Sequence, residues 1–271
     1  MNIPNIQRNR IRAYLKEGKR FDGRDLEEYR EIDVEFGLSK NAEGSCKVKF
    51  GKTEVWAGVK LAPAEPYPDS QDEGTFMTSA ELSPMASEDF ELGPPKINSI
   101  ELARIIDRGI RESGFIDFKK LCIKEGEKVW QVFLDIYAIN DDGNLLDVAA
   151  LAALAALANA KMPVYNEEKG KVEHELTKNP LPLNKDLMAF NMTLHKIDNE
   201  FVVDPLREEE EISEYRISLA VADNKGKARI TAMQKGKEGS ISEKDLEKIL
   251  KIVEDKHKEL LPKINKLVWG K

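Results

Sequence analysis

At 271 residues the chain can form one large domain or two smaller ones sharing a core, and its 41% apolar content is enough to fill that core. The 34% of charged residues fit a very soluble surface or the ion-pair networks of a heat-adapted protein. A net charge of −7 excludes polyanion binding through bulk charge, so any contact with nucleic acid needs a local basic patch.

Residues 1–20 are polar and basic and contain no apolar signal core. Residues 8–18 predict a short basic helix, and Arg20-Phe21-Asp22-Gly23-Arg24 predicts a turn at Asp-Gly. From Glu31 the chain alternates, with Ile32, Val34 and Phe36 on one side. The segments GSCKVKF and EVWAGVKLA predict a β-hairpin turning at Gly51-Lys52. Residues 62–97, rich in Pro, Ser, Asp and Glu, are too long for an ordinary loop and predict one strand, TFMTSAEL, inside them.

A helix is predicted over 98–113, capped by Ser99 and ended by Gly114. KVWQVFLDIYA predicts an apolar strand, turned by Asp141-Asp142-Gly143 into a helix over 145–160. That helix is apolar on every side and predicts full burial. It contains Asp147 and is shorter than the roughly 20 residues a bilayer span needs, so a soluble, cytoplasmic protein is expected.

Residues 166–185 predict a polar connection. Four strands follow, LMAFNMTLHKI, EFVVDPL, YRISLAVAD and ARITAMQKG, separated by turns such as Asp198-Asn199 and Asn224-Lys225-Gly226. An amphipathic helix from Ser242, its cap, to about Leu261 closes the chain, with Asp245 in its first turn. The predicted class is α+β: two β-then-helix halves, with mixed or antiparallel sheets packed around buried helices.

Cys46 and Cys122 have no paired spacing and predict reduced thiols. His174, His195 and His257 form no ligand motif and predict surface or packed histidines. No metal site and no cofactor of its own are expected.

The sharpest feature is IELARIIDRGIRES. Arg104, Arg108 and Arg111 fall within a stripe of about 60° on one helix face, opposite Leu102, Ile105, Ile106 and Ile110. Three aligned guanidinium forks suit consecutive phosphates. Glu101, Asp107 and Glu112 are near enough to make the same face a solvated ion-pair surface instead. The acidic run Glu208 to Glu211 predicts a solvated turn rather than a metal or acid site, since adjacent side chains spread. Asp141 to Asn144 predict an ordinary helix cap. Residues alone carry the reading as far as a soluble α+β protein with one arginine-lined helix.

Taken together, several segments resemble the ribonuclease PH family. They are Arg20 to Arg24 with Glu28-Tyr29-Arg30, Gly44-Ser45 through GKTEVWAGVKLA, LDIYAINDDGNLLDVAALAALAAL, and VDPLREEEEISEYRISLAV. ELARIIDRGIRES resembles the version carried by the non-catalytic ring subunits of the archaeal exosome. The resemblance covers roughly residues 18–260. It implies a helical extension over 1–17, a first family subdomain over 18–180, and a second over 181–271 that includes the last helix.

The family's members degrade RNA from its 3′ end with inorganic phosphate as nucleophile. In the archaeal complex, catalytic and non-catalytic subunits alternate as three heterodimers in a hexameric ring under a cap of RNA-binding subunits. Active members hold phosphate with a Gly-Gly-Thr-Arg stretch, where this chain reads Gly143-Asn144-Leu145-Leu146-Asp147. They carry two aspartates six residues apart, where this chain has Glu210 and Arg216. An arginine neither relays a proton near neutral pH nor tolerates Mg²⁺ beside it.

The resemblance therefore implies a non-catalytic subunit without catalytic residues, with Gly143, Asn144, Glu210 and Arg216 as degenerate positions. Phosphate would act only at the partner's site. Arg104, Arg108 and Arg111 would grip the backbone of single-stranded RNA without reading sequence. Two other readings stay open: an active phosphorolytic 3′–5′ exoribonuclease using Glu210 and other acids within 204–214, and a scaffold without RNA contact.

Overall fold

The structure, a computed structural model, describes residues 3–166 and 171–270. An N-terminal helix α1 (Asn5–Lys16) is followed by three strands, β1 (Ile32–Phe36), β2 (Gly44–Phe50) and β3 (Thr53–Ala64). Next come β4 (Thr75–Leu82), helix α2 (Ile97–Ser113), a short β5 (Cys122–Lys124) and the long β6 (Lys128–Asn140). Among the described residues these strands make one mixed sheet in the order β1-β2-β3-β6-β4, with β5 also on β6. All its pairings are antiparallel except β4 with β6.

Helix α3 (Leu145–Asn159) leads into a hairpin, β7 (Lys161–Asn166) and β8 (Lys171–Pro180). A second antiparallel sheet has the order β10-β9-β11-β12, from β9 (Ala189–Ile197), β10 (Glu200–Val203), β11 (Tyr215–Asn224) and β12 (Lys227–Gly236). A six-residue helix α4 (Arg207–Ile212) joins β10 to β11, and α5 (Glu243–Trp269) ends the chain.

Helix α3 is the centre of the molecule. Every residue from Asp147 to Leu157 is buried, and the helix touches β2 and β3 of the first sheet and β9 of the second. Its alanines let both sheets approach closely. Gly44 on β2 is part of that fit, since a Cβ there would lie 2.3 Å from the Ala156 carbonyl oxygen. Helix α2 packs along the same seam, with Leu102, Ile106 and Ile110 in the core and Gly114 ending it in the left-handed conformation.

Several expectations need correction. Ser99 does not cap α2: the helix starts at Ile97, and the Ser99 hydroxyl donates back to the Lys96 carbonyl. Residues 166–185 are no mere connection, because β8 pairs with β7 across much of that span, although residues 167–170 lie outside the described residues.

Helix α5 is capped by Ser242, as its sequence predicts, but runs past Leu261 and Pro262 to Trp269. Ile264 and Val268 are buried there, and Trp269 sets its ring edge against Phe115. That burial outweighs the roughly 3 kcal/mol a proline costs within a helix. His195 and His257 are packed histidines, 2% and 1% exposed. The His174 side chain lies outside the described residues.

Candidate functional site

The loop after α1 fastens the two halves together through buried ion pairs. The Arg20 guanidinium grips the Glu209 carboxylate with Nε and Nη2, and also donates to the Val203 and Asp204 carbonyls. Asp204 receives the Arg30 backbone N–H at 2.8 Å, Arg30 Nη2 at 2.7 Å and Arg24 Nη1 at 2.9 Å. Burial would raise the Asp204 carboxyl, but its hydrogen bonds and charge pairing with Arg30 hold it below the usual range. Arg30 also donates to the Asp142 and Gly143 carbonyls, which places the turn before α3. The arginines of the first turn motif are thus a structural clamp.

That turn is tight. Gly143 has φ 90°, and a Cβ on it would lie 2.5 Å from the Pro205 carbonyl oxygen. The helix cap is Asn144, at φ 59°, and its side chain does not cap α3. Instead its Nδ2 donates to Asp204 at 2.8 Å and to Asp147 at 3.2 Å. The expectation of an ordinary Asp or Asn cap is corrected here: Asp141 accepts from Gly143 N–H, and the free end of α3 is served from elsewhere. The Asn144 N–H donates to Glu210 Oε1 at 2.9 Å. A carboxylate at that end of a helix interacts favourably with its dipole.

The acidic run is likewise not a solvated turn. It forms α4, with Glu209 buried on Arg20 and Glu210 half-buried over the start of α3. Burial pushes the Glu210 carboxyl up to about 7 despite the Asn144 hydrogen bond. Burial also lifts Asp147 to about 7, against hydrogen bonds from Thr193 and Asn144.

Glu210 lies at a pocket of about 370 Å³ that also exposes Asp141, His195, Arg216 and Lys237. Arg216 Nη2 is locked on Glu101 Oε2 at 2.7 Å. Lys237, at φ 65°, donates to the Glu210 carbonyl, the Ser213 carbonyl and the Ser213 hydroxyl. Ser213 Oγ donates to the Glu210 carbonyl, so it accepts from His195 Nδ1 at 3.0 Å, and His195 Nε2 is the bare acceptor, 3.8 Å from Glu210 Oε1. Burial holds His195 well below its ordinary value, as do Lys237 and Arg216.

The four positions that the resemblance marks as degenerate meet around one pocket: Glu210 and Arg216 line it, and Gly143 and Asn144 form the turn that Glu210 holds. Asp141 comes from the turn before α3 that the sequence marks, whereas His195 and Lys237 come from separate elements and no local spacing marks them. Among the described residues no group of three or more His, Cys, Asp or Glu converges to hold a metal ion. The pocket lining sets three carboxyls, Glu101, Asp141 and Glu210, against Arg216 and Lys237, a balance that disfavours an incoming anion.

The arginine face divides. Arg111 forms a two-pronged pair with Asp107, donates to the Phe76 carbonyl at 3.0 Å and lies over the Phe76 and Phe118 rings. The ion-pair reading of this helix holds for that residue. Arg104 and Arg108 are exposed with no ion pair among the described residues, because Glu101 turns to Arg216 instead. They border a groove of about 410 Å³ between α2 and the second sheet.

Known proteins share this architecture. Residues 28–163 match the model of the 3′ exoribonuclease family (RNase PH), domain 1, and residues 190–254 match domain 2 of the same family. The chain is 50% identical over 182 residues to the exosome complex component Rrp42 of Archaeoglobus fulgidus, covering 67% of this chain and 70% of that protein. It is 45% identical over 265 residues to the exosome complex component Rrp42 of Methanothermobacter thermautotrophicus, covering 97% of this chain and 96% of that protein. Its structure matches a chain of the Archaeoglobus fulgidus exosome with RNA bound to the active site at a TM-score of 0.86 and 42% identity, covering 96% of this chain and 98% of that one.

Proposed function

The chain belongs to the 3′ exoribonuclease (RNase PH) family and has its fold, and from that premise we propose that it is a non-catalytic component of an exosome that degrades RNA by phosphorolysis. Within that complex it pairs with a catalytic RNase PH-like subunit in an alternating hexameric ring beneath RNA-binding cap subunits. It acts in the cytoplasm. Inorganic phosphate attacks the RNA only at the partner's site, and this chain brings no cofactor of its own.

One observation carries the non-catalytic reading. The place where a phosphate would meet the start of α3 is taken by the chain's own Glu210 carboxylate, on the Asn144 N–H. Arg216 stands beside it, spent on Glu101, where a carboxylate would be needed to move a proton or hold a metal. The remaining positive role falls to α2. Arg104 and Arg108, exposed and without an ion pair among the described residues, hold the RNA backbone and direct its 3′ end to the partner, while Arg111 braces the helix from its Asp107 pair.

The isolated chain, incubated with RNA and phosphate, is expected to release no nucleoside diphosphates. Release by the pure chain sinks the reading. A second reading has one observation in its favour: Glu210, raised to about 7, has the proton affinity of a general acid at neutral pH. Glu210→Gln in the assembled ring separates the two. Near-normal turnover supports the passive role, and abolished turnover supports catalysis by this chain.

A further inference from the structure

The groove beside α2 has features that a grip on phosphates leaves unused. Arg104 and Arg108 stand at its mouth, but Ile97, Ile100, Ile105 and Met233 wall it. Guanidinium groups can follow an RNA backbone across an open surface and need no cavity behind them. Half of the groove's lining is apolar and Glu101 is among the rest, so its interior is a poor host for phosphate oxygens, which would lose water beside an anion.

The groove also holds an unmet polar group. Asn191 on β9 is only 7% exposed, and its Nδ2 has no hydrogen-bond partner among the described residues. Gly109 brings α2 down onto this residue: a Cβ there would lie 3.1 Å from Ala220 Cβ and 3.4 Å from Asn191 Oδ1. Gln234 on β12 shares the groove, and its Nε2 makes a long hydrogen bond of 3.4 Å to the Lys235 carbonyl, which leaves the amide oxygen to accept. A buried donor and a nearby acceptor between apolar walls suit a flat ring with two apolar faces and a hydrogen-bonding edge.

We infer that this groove takes a nucleobase of the bound RNA, its faces against Ile97, Ile100 and Met233, its edge on Asn191 and Gln234, and its flanking phosphates on Arg104 and Arg108. This inference rests on the RNA-gripping role and deepens it: the chain holds one unstacked base as well as the backbone. Unstacked bases are the usual handle on single-stranded RNA, and guanidinium planes add to their stacking. Every base carries a hydrogen-bonding edge that can meet one donor and one acceptor, so the site adds affinity without strong sequence preference.

The test compares a short oligoadenylate with an oligomer of the same length whose riboses lack bases, bound to the full chain and followed by fluorescence anisotropy. Wild type is expected to bind the base-bearing RNA about tenfold more tightly than the abasic one. Asn191→Leu is expected to remove most of that difference and leave the abasic affinity unchanged. Gln234→Ala, at a half-buried position that folding tolerates, is expected to reduce it about threefold and decides the matter if the first variant fails to fold.

Equal wild-type affinity for the two oligomers overturns the inference. So does oligoadenylate binding by both variants at wild-type strength. Loss of assembly with a co-expressed catalytic subunit, with RNA affinity intact, would assign the groove to a protein neighbour and also overturn it. Arg104→Glu with Arg108→Glu keeps the two levels apart. If that double variant weakens both oligomers while the groove variants weaken neither, the backbone grip stands and only the base site fails. If the double variant changes nothing, the grip itself fails.

Discussion

Glu210 reaches the Asn144 amide from a helix that begins 63 positions later in the chain, and it does so half-buried, with its carboxyl raised from 4.5 to about 7. A carboxyl whose folded pKa is raised contributes stability that is complete below the unfolded value of 4.5 and is lost as pH rises to about 7. Asp147, raised from 3.8 to about 7 by burial, acts in the same direction over nearly the same window. These two carboxyls lower the thermal midpoint as pH rises from about 4.5 to 7, while His195 and His257, held by burial below their ordinary value of 6.5, act in the opposite direction up to that pH. Glu210→Gln removes one share of that fall and leaves the histidines in place, so its midpoint should drift upward relative to wild type across the same range in a calorimetric series. An equal or steeper fall in the variant would show that Glu210 ionises freely in the folded chain.

Among the elements, α3 sets the tolerance of the core. A helix buried on every side between two sheets has no face on which to relax, and its alanine surface admits β2 only because Gly44 lacks a side chain. Gly44→Ala is expected to cost about 2–3 kcal/mol through overpacking, read from urea unfolding. An unchanged midpoint would mean that β2 moves off α3 without penalty. The acidic segment makes the complementary point about what local pattern conceals. Four adjacent glutamates read as a solvated turn, yet Glu209 is buried because Arg20, 189 residues away, meets it with both guanidinium arms. Likewise β7 and β8 carry too many polar residues for a clear period, and their pairing is visible only once the hairpin has formed.

At the scale of the whole molecule, a chain of net charge −7 binds RNA only where a few cations escape their acidic neighbours. Two arginines of α2 do so. On single-stranded RNA, each phosphate that the protein neutralises adds about 0.7 to the slope of log affinity against log salt. Arg104→Glu with Arg108→Glu should therefore reduce that slope by about 1.4. Arg111→Glu, which breaks the Asp107 pair, should instead show up as lost stability with a smaller change in slope. An RNA titration across salt concentrations separates these outcomes.

Periodicity and composition by themselves determined the α+β class, the hairpin of β2 and β3, the burial of α3 along most of its length, the ending of α2 at Gly114 and the capping of α5 by Ser242. Each is set by side chains within a few residues of one another, through alternation, helical spacing or a local hydrogen bond. The family motifs added an expectation of where a site should lie and of which positions depart from the family's pattern. Only the tertiary structure decided what those positions do: Arg20 and Arg30 clamp the two halves, Glu210 occupies the end of α3, Arg216 is held by Glu101, and Arg111 is turned to Asp107 while its two neighbours face solvent. Charges act through space, and burial, partner and accessibility belong to the packed molecule rather than to the order of residues along the chain.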